Sequence, residues 1–348
     1  MSRLRLQWTC WSAVTWSAVL ACCGLSVSRA ADIPLTDTSV LHFADVREGI
    51  SAITQIDDYI RQLSPFDRQV RLKTDRVVSE QEFLAFVAKN VMPWQEDEIR
   101  RLTLLIDALR AKIEPWKLNL PPVILLVKTS GQEEGGAAYC RGPAIVLSQQ
   151  MLHERQERLK TVLPHELFHV LSSHNPPLRE ALYETIGFKR CNEVSLPEGL
   201  REAKITNPDA PVNNHYINCN LNGRDVDLMP VLLSKTDRYN AKLGDTLFAY
   251  LDFKLMVLAS DADGTRRPAT TAGKPVLLDP AAVPGFHEQI GRNTTYIIHP
   301  EEILADNFVF LLNGQINLRS PRVVERMGEI LQEPPLAAAA PTNDSQEN

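Results

Sequence analysis

The chain has 348 residues, 44% hydrophobic and 23% charged, an ordinary globular balance that can bury a core without disulfide staples. Its formal charge of −6, with no block rich in Lys and Arg, argues against nucleic acid as a partner. Three of the six cysteines fall within the first 30 residues. The other three, Cys140, Cys191 and Cys219, form no C-x-x-C pair, which disfavours a cysteine zinc site, and their odd number leaves room for one disulfide and one free thiol that spacing does not assign.

The N-terminus reads as a secretory signal peptide, residues 1–30. Arg3 and Arg5 precede an apolar stretch from Trp11 to Val27, and Ser28-Arg29-Ala30 offers small residues for cleavage after Ala30. The rivals are a retained membrane anchor, disfavoured by a short and interrupted apolar run, and a lipoprotein signal, because Val19-Leu20-Ala21-Cys22 resembles a lipobox. The expectation is an exported chain, periplasmic or secreted, touching a membrane only through a lipid anchor at Cys22.

Residues 31–115 read as a helical region, either a subdomain or a lid. Val46, Ile50, Ile53, Ile56 and Ile60 recur at helical spacing between Asp45 and Leu63. Ser79 and Glu82 form a capping-box signature ahead of a second helix. A third helix, Gln95 to Ile113, is bracketed by Pro93 and Pro115. Pro122 to Val127 is a buried strand by its continuous apolar run, and Ala137–Cys140 with Ala144–Leu147 read as a strand pair turning at Arg141-Gly142-Pro143. A sheet edge there could hold an extended peptide as an added strand, or simply pair with its neighbour.

The next helix carries His165-Glu166-Leu167-Phe168-His169. Residues four apart lie one turn above each other, so both imidazoles share a face and can bind one Zn²⁺. Glu166 beside them can take a proton from a water that the metal polarises. This is the H-E-x-x-H pattern of zinc peptidases. Pro164 is harmless in the first turn if Thr161 is the N-cap; otherwise the helix starts near Glu154 and kinks just before His165. Asn175-Pro-Pro177 stops the helix, and another runs from Leu178 to Ile186, ended by Gly187. Residues 196–291 alternate short β-rich runs with turns and read as an antiparallel insertion. Helices return at His299–Leu312 and Arg322–Leu331, and residues 332–348 read as a disordered tail.

A catalytic zinc usually takes three protein ligands. The metzincin spacing fails, since position 172 is Ser and 175 is Asn, and His174 suits the helix C-terminus better. Glu302 is the better third ligand, with Asp306 one turn later to accept an N–H from a ligating histidine. Glu301 and Glu302 also suit a helix N-terminus as first-turn acids behind Pro300, and Glu180 and Glu184 are rivals with no Asp one turn on. Tyr296 leads the candidates for stabilising an oxyanion, ahead of His215, Tyr216 and Tyr239.

His165-Glu166-x-x-His169 followed by a helical Glu302-x-x-x-Asp306 resembles the gluzincin clan of zinc peptidases, of which thermolysin is a member. The resemblance covers two helices and the preceding edge strand. It implies an α+β fold with a zincin-like catalytic core over residues 116–331. It also implies one Zn²⁺ held by His165, His169 and Glu302, Glu166 as general base, Asp306 orienting His165, and a peptide or protein substrate. The chain departs from the thermolysin pattern in the gap from His169 to Glu302, 302 − 169 = 133 residues. The alternatives are a zincin-like binding scaffold with little turnover and a zinc amidase acting on cell-wall material.

Overall fold

The computed structural model describes residues 32–333 except Arg155. The signal segment, the Cys22 lipobox and residues 334–348 of the expected tail lie outside the described residues. No helix among the described residues is long and apolar enough to cross a membrane.

The chain is a mixed α+β protein with several small sheets. Strand β1 (Ile33–Pro34) leads into β2 (Val40–Phe43), and Asp45 then opens α1 (Val46–Ile53) with a reciprocal Asp45–Glu48 capping box. The single helix expected from Asp45 to Leu63 is two. The Asp57 side chain accepts the Ile60 N–H and starts α2 (Asp58–Gln62) afresh, because a local side-chain acceptor competes with the helical ladder. Ser64-Pro65 begins a further helix, α3 (Pro65–Leu72), which the apolar spacing did not reveal. Ser79 caps α4 (Glu80–Asn90) as expected, but Glu82 turns to Arg76 instead of back to the cap. Helix α5 (Glu96–Ile113) falls where its proline brackets predicted.

Three more strands, β3 (Val123–Thr129), β4 (Tyr139–Arg141) and β5 (Ala144–Ser148), complete the first sheet in the order β1-β2-β3-β5-β4. β2, β3 and β5 are parallel, while β1 and β4 run antiparallel at the edges. Side chains alternate between two buried faces. Phe43, Leu126 and Leu147 join the core under α5, whereas Val127, Ala144 and Val146 meet Ile53, Phe83 and Val87 on the other side. Gly49 is needed where α1 crosses the sheet: a Cβ there would lie 2.9 Å from Val91 Cγ1 and 3.1 Å from Val127 Cγ1. Because β2 pairs with β3, the expected boundary at residue 115 does not divide the structure, and residues 31–115 are no separate helical subdomain.

Helices α6 (Gln149–His153), α7 (Gln156–His174) and α8 (Pro176–Glu184) follow. β6 (Phe188–Arg190) starts the second sheet eight residues before the expected insertion at 196. After α9 (Glu198–Glu202), strands β7 (His215–Leu221), β8 (Arg224–Ser234), β9 (Leu251–Ser260) and β10 (Arg266–Pro268) give the antiparallel order β10-β9-β8-β7-β6. A small hairpin of β11 (Thr270–Thr271) and β12 (Lys274–Pro275) precedes β13 (Leu277–Leu278), which pairs with β9. One face of this sheet, with Phe188, Ile217, Leu228 and Leu255, enters the main core together with Phe286 of α10 (Pro284–Ile290). The insertion is therefore packed into the molecule, and it returns the chain to α11 (Pro300–Leu312) beside α7. Helix α12 (Pro321–Gln332) closes the described chain, so the expected tail loses its first residue, Gln332, to a helix.

Buried polar groups tie the early helices to these layers. Arg71 spends all its donors on Asp67, Glu134 and the Thr206 carbonyl. Neighbouring Glu133 is less well served: one carboxylate oxygen has no hydrogen-bond partner among the described residues, and burial pushes its pKa up to about 7. The folded pKa exceeds the unfolded one, so between about pH 4.5 and 7 the unfolded chain binds fewer protons and stability falls as pH rises. Glu133→Gln removes that slope. Urea unfolding at pH 5 and pH 7.5 should show the variant gaining about 2 kcal/mol on the wild type between the two. An equal pH dependence in both proteins would contradict this.

Candidate metal centre

Helix α7 begins at Gln156 and runs unbroken through Pro164, so Thr161 is not its N-cap and the earlier start is the correct one. Proline there has no N–H for the Lys160 carbonyl and costs about 3 kcal/mol in an ordinary helix interior. One turn on, His165 and His169 project together, with ring centroids 4.8 Å apart. Helix α11 packs against α7 through Phe168 and Phe308, whose rings lie 5.6 Å apart. Its N-terminus is set by His299, whose Nδ1 accepts the Glu301 N–H at 3.1 Å. Burial, with His215 nearby, pushes the His299 pKa down to about 3, which keeps the imidazole neutral and able to accept.

The two helices bring five residues together. Glu302 Oε2 lies 3.1 Å from His165 Nε2 and 3.6 Å from His169 Nε2. Asp306 Oδ1 accepts from His165 Nδ1 at 3.0 Å, and its other oxygen accepts the Thr294 hydroxyl. Glu301 Oε1 accepts from His169 Nδ1 at 3.0 Å, and its Oε2 takes the Ser172 and Tyr183 hydroxyls. A carboxylate behind each Nδ1 fixes the proton there and leaves each Nε2 lone pair facing the Glu302 oxygen. Three electron-pair donors converging there repel one another unless protons on the rings or a metal cation lie between them. A tetrahedral zinc with donors at about 2.1 Å has donor–donor edges of about 3.4 Å, which 3.1 and 3.6 Å straddle. The donor set thus fits Zn²⁺. The field agrees: although burial opposes charging His165, Asp306 and Glu302 outweigh it and push its pKa up to about 10.

Glu166 is buried, and burial raises its pKa. The Cys140 thiol, from edge strand β4, lies 3.4 Å from Glu166 Oε2 and 3.3 Å from the Glu166 carbonyl oxygen. Cys140 Sγ and the carboxylates of Glu166 and Asp209 also lie within 4.8 Å of one another. Burial pushes the Cys140 thiol well up, which keeps it a protonated donor to Glu166. Cys140, Cys191 and Cys219 are all free, so the disulfide that three cysteines could have formed is absent among the described residues.

Of the other sequence candidates, only Tyr296 adjoins the two histidines. The Tyr296 ring stacks on that of His165 at 6.3 Å. His215 is bound to Glu180 at 3.0 Å, Tyr216 lies under Arg266, and Tyr239 packs on Tyr250. Glu180 is thus committed to His215, and Glu184 lines a separate cavity of about 470 Å³ between α8 and α12. His174 ends α7, but the side chain that caps the last turn is Asn175, donating to the Leu171 carbonyl at 2.7 Å. Sequence reasoning missed Glu301 as a partner of His169, and it missed Asn207, whose amide donates to Glu302 Oε1 at 2.6 Å. Asn207 sits in Asn-Pro-Asp, which reads only as a loop signal, and nothing in spacing separates the role of Glu301 from that of Glu302.

Comparison of the chain with protein-family models, with curated proteins and with solved structures finds no match. The site is therefore interpreted from its own chemistry.

Glu302→Ala should abolish tight zinc binding, whereas Asp306→Asn and Glu301→Gln should each weaken it about 10- to 100-fold by freeing a histidine ring. Competition against a chromophoric chelator measures all three. Unchanged affinity in Glu301→Gln would show that this carboxylate does not act on the centre.

Proposed function

We propose that the chain is an exported zinc-dependent peptidase with a zincin-like core, related in design to the gluzincins. The observation that carries this reading is the meeting of Glu302 Oε2 with both histidine Nε2 atoms, each ring backed by a carboxylate. His165, His169 and Glu302 would hold the ion. When bound, zinc lowers the pKa of water and polarises a carbonyl.

The chain's own groups supply the rest. Glu166, adjacent to His165 and buried, accepts the proton of the attacking water at its carboxylate and returns it to the leaving amine nitrogen. Its raised pKa makes the carboxylate a stronger base and favours the first of these transfers. The Cys140 thiol donates to Glu166 Oε2 and limits where that carboxylate can point. Tyr296, stacked on His165, is the donor we assign to the developing oxyanion. A binding scaffold would need no buried carboxylate beside the first histidine, which favours the enzyme over that alternative.

Purified protein should carry about one zinc per chain, and Glu166→Gln should keep the metal while losing hydrolysis about 10²- to 10⁴-fold. Zinc-loaded wild type that hydrolyses no peptide in a mixed library would contradict the proposal and favour the scaffold.

A further inference from the structure

Between α9 and β7 the segment Thr206–Pro211 forms a strap across the mouth of the site. It is anchored at both ends. Thr206 donates through its hydroxyl and its N–H to the buried Asp67, and its carbonyl accepts from Arg71. At the far end, Lys204 Nζ holds the Pro211 carbonyl at 2.9 Å. Between the anchors, Asn207 grips Glu302, and Asp209 Oδ1 accepts the Cys140 N–H at 2.7 Å. That N–H points off the free edge of β4, where a polypeptide running through the cleft would be held as an added strand. The strap closes the edge to such a chain.

Asp209 also brings a carboxyl group; burial pushes its pKa well up, so it takes on full charge only against a cation placed beside it. Its carboxylate oxygen and that of Glu166 are within 4.8 Å, and among the described residues Asp209 takes only the Cys140 N–H and has no cation partner. A carbonyl carbon attacked beside Glu166 lies about 2.5 Å from the nitrogen of its own residue, two bonds away. A carboxylate at this range is suited to that nitrogen as a free ammonium. Next to it lies a small cavity of about 50 Å³, lined by Asp209 and Tyr296 and by Ala138, Leu232, Leu247 and Phe248. Arg71 and Glu134 also reach this cavity, but they neutralise each other. At this volume it admits the methyl tip of an apolar side chain, and apart from Asp209 it offers no net charge.

We propose that the site trims peptides from the amino end. Asp209 binds the α-ammonium of the first residue, the cavity takes the tip of that residue's apolar side chain, and the strap leaves no room for chain ahead of it. Water adds across the first amide, its C–N bond breaks, and a free amino acid and a shortened peptide leave. This inference rests on the peptidase reading above and deepens it.

The test compares leucine p-nitroanilide with its N-acetyl form on the zinc-loaded full chain. The free amine should be preferred at least 100-fold in kcat/KM. Asp209→Asn, which keeps an oxygen for the Cys140 N–H, should shrink that preference roughly 10- to 100-fold, and Asp209→Glu should restore part of it. A structural role would lower both substrates alike. Independently of turnover, zinc-loaded Glu166→Gln protein should bind Leu-Leu more tightly than N-acetyl-Leu-Leu by calorimetry. Equal cleavage of both substrates, or equal binding of both peptides, overturns this inference and leaves the peptidase reading intact. If the zinc-loaded protein hydrolyses neither, this inference fails, and the mixed peptide library decides the peptidase reading separately. Should Asp209→Asn not fold, the acetylation comparison on wild type decides alone.

Discussion

One carboxylate oxygen governs the candidate centre. Glu302 Oε2 faces the Nε2 atoms of His165 and His169 from the first turn of α11, inside a space that also holds Glu301 and Asp306. Enclosing two buried carboxylates and the half-buried Asp306 around two imidazoles is costly unless positive charge compensates. Without a metal, that charge must come from protons on the rings; burial raises the Glu302 pKa, and the nearby histidines then hold it well below the ordinary carboxylate range. A divalent ion supplies the charge with better geometry, because it satisfies all three donors at once. The packing of α11 on α7 through Phe168 and Phe308 is what makes the meeting of helices reproducible.

The parts of this arrangement that are local in sequence were legible, and the parts that depend on docking were not. His165, His169, Glu302 and Asp306 each belong to a pair four residues apart, and helical geometry alone puts each pair on one face. Glu301 acts on His169 across two helices at a separation of 132 residues, and no periodicity encodes that contact. The sheet divides in the same way. The apolar runs of β3 and β5 marked them as buried strands, but the register that sets Val40 of β2 beside Val123 of β3 is a long-range fact. Hence residues 31–115 looked like a separate helical part and prove to be woven into the sheet. The break at Asp57 had a local signal, an Asp able to cap a new helix, overridden in the reading by an unbroken spacing of isoleucines.

The insertion that made the assignment of Glu302 hardest to foresee also furnishes the site's surroundings. It leaves α8, builds a six-stranded sheet whose inner face joins the main core, and comes back at α11. On the way it lays the Thr206–Pro211 strap over the cleft, anchored on the buried Asp67–Arg71–Glu134 network that reaches back to the first helices. Elements from both ends of the chain therefore converge on a small volume around Glu166. A centre assembled in this way depends on global folding, and the interior Pro164 one residue before His165 is tolerated within it.

The central claim is that the ion is held by two imidazoles and one carboxylate and not by the neighbouring thiol. Zinc-edge X-ray absorption on the purified full chain tests it directly. The account predicts a shell of nitrogen and oxygen only, at about 2.0–2.1 Å, with the multiple-scattering signature of two imidazoles. A sulfur scatterer at about 2.3 Å would place the ion at Cys140, Glu166 and Asp209 instead and would contradict the account.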